Sequence, residues 1–173
     1  LQKSIEAIAE KIKGPKGTIA FYVIDPDTGQ SIAQLNEHKV LPAASLIKVQ
    51  ILLALHEKVK QGEVPPGDFP MLMEAARKMI VVSDNRSTDK IIEYLDREWI
   101  NDFIKKLGFK DTQLNRLMSE DPPLQNWTTA AEMAKAMTMA LTYTPPQGWP
   151  SAMDLMGKGE RSQKLDALVP EGV

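Results

Sequence analysis

Ser45 and Lys48 stand three residues apart at the start of one apolar segment, and Ser83-Asp84-Asn85 follows a second apolar segment. A spacing of three on a helix puts two side chains on one face about one turn apart, so the Ser45 hydroxyl and the Lys48 amine can meet. An amine near the positive end of a helix dipole and partly desolvated is disfavoured as a cation. Once neutral, it takes the Ser45 proton as the oxygen attacks a carbonyl, and the Ser45 backbone N–H donates to the developing oxyanion. Ser83 adds a second hydroxyl that can relay a proton to a leaving nitrogen, and the Asn85 amide can hold a substrate carbonyl while touching Lys48. Each motif alone has a plainer reading. Ser45 can cap its helix while Lys48 snorkels to water, and Ser-Asp-Asn is ordinary turn chemistry. The pair is far more specific than either member.

The chain carries its own control, a second S-x-x-K at Ser87 and Lys90. Ser87 lies among Arg86, Thr88 and Asp89, which reads as a polar helix start on a solvated surface. Ser45 instead follows Pro42-Ala43-Ala44 and opens a run containing Leu46, Ile47, Val49, Ile51, Leu52, Leu53 and Leu55, apolar on nearly every side and so expected to be buried.

The elements that must position these residues follow from local signals. Ser4 is placed to cap a first helix with Ile5, Ile8 and Ile12 as its apolar stripe, Lys11 and Lys13 in its last turn and Gly14 at its end. Thr18 to Ile24 and Ser31 to Leu35 read as strands joined by the turn formers of Asp25 to Gly29. Helical segments are expected over Ser45–Gln61, Asp68–Val82, Thr88–Leu95, Arg97–Leu107, Thr129–Leu141 and Ala152–Met156, with Gly108 closing one and Thr129 with Glu132 forming a capping box for another. Met133, Met137 and Leu141 read as a core stripe. Between Leu114 and Thr128 an aperiodic stretch with Asp121-Pro122-Pro123 is expected to be an ordered loop, with Trp127 packing it down and Arg116 anchoring it through Asp121. Strands first and helices later give an α+β fold. Residues 1–40 form a helix and hairpin of an antiparallel sheet, 41–150 a mostly helical part carrying the motifs, and 151–173 a return segment. A two-stranded hairpin is marginal alone, so the Thr18–Ile24 strand wants another neighbour, and a separate C-terminal segment or second chain is expected to complete the sheet.

Composition removes several alternatives. The 173 residues, 43% hydrophobic, suit one domain with one core. With 21 Lys and Arg against 23 Asp and Glu, the net charge of −2 offers no basic footprint for nucleic acid. No apolar stretch approaches the roughly 20 residues needed to cross a bilayer. The absence of cysteine excludes thiolate chemistry and disulfides, and His38 and His56, the two histidines, share no metal-ligand spacing. No cofactor is expected.

At these residues the sequence resembles the penicillin-recognising serine hydrolases, most closely the class A beta-lactamase-like branch. Asn36-Glu37-His38-Lys39-Val40-Leu41-Pro42-Ala43-Ala44-Ser45-Leu46-Ile47-Lys48 looks like the family's approach to its nucleophile, and Ser83-Asp84-Asn85 like its second motif. Leu107-Gly108-Phe109, Thr112 and Asn126-Trp127-Thr128-Thr129 also fall where similar hydrolases carry comparable patterns, and the likeness runs to Pro170-Glu171-Gly172. The resemblance implies Ser45 as the residue acylated by a beta-lactam or a peptidoglycan-like D-alanyl peptide, Lys48 as base, Ser83 as proton relay, Asn85 as substrate ligand and a periplasmic or otherwise extracytoplasmic setting. It also implies a glutamate two residues past the loop arginine to activate water. Met118 stands there after Arg116, and Glu120 is the nearby candidate for the catalytic carboxylate that activates water. The Lys48-to-Ser83 stretch is shorter than in typical class A enzymes, and no Lys-Thr-Gly-like strand, which would add a second oxyanion donor, is present. A beta-lactamase is the leading expectation. A D-alanyl peptidase or slow penicillin-binding protein is the second, and a non-catalytic binding module of the same fold the third.

Overall fold

A computed structural model describes residues 2–12, 17–121 and 123–158. The expected roles of Lys13 and Gly14, of Pro122 and of residues 159–173 therefore fall outside the described residues. The fold is α+β and helix-rich, with small antiparallel sheets.

Helix α1 covers Gln2–Ile12, so Ser4 lies inside it and is not its cap. Ala9 is its buried residue, while Ile8 is exposed, which narrows the expected stripe. The helix is tied to the sheet by Gln2, whose amide donates to the Gln34 carbonyl over 2.6 Å while its Oε1 accepts from the Gln34 N–H over 2.9 Å. Strand β1 is Phe21–Ile24, shorter than expected from its β-branched run, and β2 is Ser31–Leu35. They pair antiparallel with Phe21 opposite Leu35. The Asp25 side chain closes the turn by accepting the Asp27 N–H at 2.9 Å, and Gly29 supplies the positive φ of 70° that the turn requires. Among the described residues β1 pairs with β2 alone.

A second, two-residue pairing escaped the sequence reading: β3 (Leu41–Pro42) lies antiparallel to β4 (Trp127–Thr128), with Leu41 opposite Thr128. Trp127 also exchanges backbone hydrogen bonds with Gln113 at 3.0 Å, so backbone pairing holds the end of the long loop. Two-residue strands carry no periodic signal, which is why they were invisible beforehand.

After β3 the chain makes a 3-10 turn, Ala44–Ile47, that continues into α2, Lys48–Lys60. Every residue from Lys48 to His56 is buried, because α2 runs through the middle of the bundle. It packs against α3 (Phe69–Val81), α4 (Asn85–Leu95), α5 (Arg97–Lys106), α6 (Ala130–Thr142) and α7 (Ala152–Met156). A helix apolar all round can be satisfied only by such a position. Gly108 ends α5 in a Schellman motif: its N–H donates to Lys105 O at 2.8 Å and that of Phe109 to Ile104 O at 3.2 Å, with φ +80° at the glycine.

Two expectations about α6 change. Thr129 accepts the Glu132 N–H, but the Glu132 carboxylate takes the N–H groups of Lys110 and Asp111 and the Thr112 hydroxyl, so it fastens the α5–β4 connection and closes no reciprocal box. The buried face is Met133, Ala136 and Ala140, whereas Met137 and Leu141 are exposed, because α6 leaves that edge uncovered.

Candidate active site

The 3-10 turn and α2 bring Ser45 to the surface and bury Lys48, which is 2% exposed. Ser45 itself is exposed, so the expected burial falls on the lysine. Ala44 is held at φ 46° and Ser83 at φ 55°, both in the left-handed region that non-glycine residues occupy at a cost. The surrounding hydrogen bonds fix these bends. The Ala43 N–H donates to Asn126 O at 2.7 Å, and the Asp84 N–H to Lys78 O at 3.1 Å.

Asn85 opens α4, three residues earlier than its apolar pattern suggested, and Asp84 is the N-cap, its Oδ1 accepting the Ser87 N–H at 2.7 Å. The cap turns the Ser83 hydroxyl and the Asn85 amide towards α2. The Lys48 Nζ donates to Ser83 O at 2.6 Å, to Ser83 Oγ at 2.9 Å and to Asn85 Oδ1 at 2.9 Å, and the Ser83 hydroxyl donates to Ser45 Oγ at 2.9 Å. Four side chains from two separated segments thus meet. The amine reaches the Ser45 oxygen through Ser83, where the spacing alone suggested direct contact.

Desolvation pushes the Lys48 amine below the ordinary lysine range, against the opposing pull of the Asp84 and Asp89 carboxylates. A lowered amine at the end of a hydroxyl line is the form that can accept a proton. Ser45, Lys48 and Ser83 open onto a cleft of about 170 Å³, walled by apolar groups that include Met79, Met137 and Met156.

Glu120 does not join the four. It is exposed, and its Oε2 accepts the Leu117 N–H at 2.9 Å within its own loop. Arg116 holds that loop through the carbonyls of Leu117 and Glu120, and not through Asp121. Met118 is buried, with Asn126 Nδ2 3.4 Å from its sulfur.

Two residues missed in the sequence reading fasten the loop. The Asp89 carboxylate, buried on α4, accepts the Met118 N–H at 2.5 Å, the Ser119 N–H at 3.0 Å and the Ser119 hydroxyl. Buried Asn126 accepts the N–H groups of Asn115 and Arg116 at 2.8 and 3.0 Å. Ser87, Thr88 and Asp89 are all buried, so the surface expected at the second S-x-x-K is an interior contact. The available signal was amphipathic register: Thr88 stands three and four residues before Ile91 and Ile92, which puts it on their inner face wherever the helix starts.

The helical body, the hairpin and the serine–lysine cluster define a beta-lactamase-like serine hydrolase fold. The chain belongs to the beta-lactamase enzyme family, whose model matches residues 1–68 and 64–173. Among solved structures it is similar to the beta-lactamase of Sphaerobacter thermophilus, with TM-score 0.78 and 22% identity, covering 99% of this chain and 75% of that one. An ancestral class A beta-lactamase of Gram-negative bacteria aligns with TM-score 0.78 and 20% identity over 99% of this chain and 76% of its own. A mutant of PBP-A, captured as an acyl-enzyme complex with penicillin G, aligns with TM-score 0.79 and 24% identity over 99% of this chain and 73% of its own. At these identities the likeness establishes the fold. No curated protein matches the sequence at a significant level. Among the described residues no helix is long and apolar enough to cross a membrane, and no cluster of three or more His, Cys, Asp or Glu side chains is arranged to hold a metal ion.

Proposed function

We propose that this protein is acylated at Ser45 by a beta-lactam amide or a related D-alanyl peptide. The observation that carries this reading is the unbroken line from Ser45 Oγ through Ser83 Oγ to Lys48 Nζ, with 2.9 Å at each step. With Lys48 charged, the protons point from amine to hydroxyl to Ser45. With Lys48 neutral the same line reverses: Ser45 donates to Ser83 and Ser83 to the amine lone pair. Attack then forms the bond from Ser45 Oγ to the carbonyl carbon as the Ser45 proton moves along the line to Lys48. Collapse breaks the carbon–nitrogen bond, and the proton returns through Ser83 to the leaving nitrogen, so Lys48 ends as it began. Asn85 lies beside this line and holds the substrate amide carbonyl. The Ser45 N–H, at the start of the 3-10 turn where backbone donors lack partners within the turn, faces the oxyanion.

Hydrolysis of the acyl-enzyme needs an activated water. Met118 has no proton-accepting carboxylate and Glu120 is engaged with its own loop, so the acyl-enzyme is long-lived, in the manner of a penicillin-binding protein. A further segment carrying a Lys-Thr-Gly-like strand would supply the second oxyanion donor, whose loss typically costs about 10²- to 10³-fold in rate. On this reading the protein acts outside the cytoplasm, where a peptidoglycan-like peptide would be met.

Incubation with a fluorescent penicillin followed by intact-mass measurement tests the reading. A stable adduct that Ser45→Ala abolishes is expected, together with slow release of colour from nitrocefin. Fast nitrocefin turnover would replace the slow-binding reading with a lactamase, and no adduct at all would leave only a non-catalytic binding module.

A further inference from the structure

A second cavity, of about 460 Å³, opens between α2, α5 and α6 and shares no lining residue with the Ser45 cleft. Its size is that of a small-molecule site. Leu53, Trp99, Phe103, Met139 and Tyr143 give it apolar and aromatic walls, with the Trp99 and Phe103 rings stacked at 5.8 Å.

The polar groups in these walls are of two signs, and several lack partners. Glu57 is half-buried, and its carboxylate accepts from the Gln61 amide at 2.9 Å but is in no ion pair among the described residues. Lys106 lines the same cavity from its exposed side and is likewise in no ion pair among the described residues. The Tyr143 hydroxyl is buried without a hydrogen-bond partner, and such a group costs stability unless something reaches it. The other charges nearby lie outside the cavity lining or are paired. Glu63 is matched by Lys58 at 2.5 Å, Lys58 also lies 4.2 Å from the centre of the Trp99 ring, and exposed Lys60 approaches the Tyr143 ring at 5.8 Å.

We propose that this cavity binds a small zwitterion with an aromatic body, of the aromatic amino acid type. Its ammonium meets Glu57, its carboxylate meets Lys106, and the ring lies against Trp99 and Phe103. A ligand with a single charge would leave one wall charge unmatched, and an uncharged one would leave both.

Calorimetric titration of the chain with phenylalanine, phenethylammonium and 3-phenylpropanoate, read in parallel by methyl NMR of labelled methionines, tests this assignment. Phenylalanine is expected to bind about tenfold more tightly than either singly charged analogue, with the Met139 methyl shifting. Glu57→Gln should reduce phenylalanine to the affinity of 3-phenylpropanoate, and Lys106→Gln to that of phenethylammonium. Equal affinity for all three probes, no saturation by about 10 mM, or shifts confined to Met137 and Met156 of the Ser45 cleft would each overturn it. The ligand series on the unsubstituted chain decides the matter even where a variant fails to fold.

Discussion

The Ser83 hydroxyl donates to the Ser45 oxygen across 2.9 Å, joining residues 38 positions apart in the chain, and among the described residues no other side chain hydrogen-bonds that oxygen. Ser83 is therefore the link between the Lys48 amine and the Ser45 oxygen, the proposed nucleophile.

Ser83→Ala breaks this route while leaving Ser45 and Lys48 in place. Acylation by a fluorescent penicillin, followed by stopped flow, should slow by about 10²- to 10³-fold, within the range of a lost proton-transfer group. A rate within a factor of three of the unsubstituted protein would show that Lys48 acts on Ser45 without it.

As the proposed base, Lys48 should set the pH dependence of the same step. Its amine is lowered by burial, so acylation should rise with pH and level off below the range of an ordinary lysine. Asp84 and Asp89 favour the charged amine, so removing the Asp89 charge with Asp89→Asn should move the profile to lower pH. A shift to higher pH would contradict this electrostatic account.

Asp89 also holds the loop. Asp89→Ala leaves the buried N–H of Met118 and the two Ser119 donors without their acceptor, and should cost about 2–4 kcal/mol in urea unfolding. Hydrogen exchange at the Met118 and Ser119 amides should accelerate before that of α2. Unchanged protection would mean that Asn126 and Arg116 fix the loop without Asp89.

Glu120→Gln should leave the lifetime of the Ser45 adduct unchanged within about twofold, because that carboxylate caps the Leu117 N–H and lies outside the serine–lysine cluster. A lifetime prolonged tenfold, measured by intact mass after removal of free penicillin, would instead make Glu120 the base that activates water.

His56 gives the fold an acid limit. It is fully buried, stacked on Tyr143 at 5.6 Å, with neither ring nitrogen hydrogen-bonded, and burial lowers its pKa from 6.5 to about 4. Between these values the unfolded chain takes up the proton and the folded chain does not. Stability should therefore be undiminished above about pH 6.5 and should fall, as pH drops towards 4, by up to about 3 kcal/mol. His56→Phe should flatten that dependence in urea midpoints measured at pH 7 and pH 4.5, and an equally steep dependence would place the acid sensitivity elsewhere.

What the sequence alone determined was local chemistry and local periodicity. The apolar run from Ile47 to Leu55 required a buried helix, though Leu46 at its head is exposed, the turn formers of Asp25–Gly29 required a hairpin, and Gly108 required a helix end, because each rests on interactions within a few residues. The residue types at Ser45, Lys48, Ser83 and Asn85 likewise suggested the chemistry proposed for the site. Their order in space was another matter. That Ser83 stands between Ser45 and Lys48 depends on α4 starting at Asn85 and docking against α2, a contact between segments 35 or more residues apart. The same long-range packing turned Asp89 inward to hold Met118 and Ser119, and left Met137 exposed at the cleft. Helical spacing says which side chains share a face. Only the packed bundle decides which face is covered, and by what.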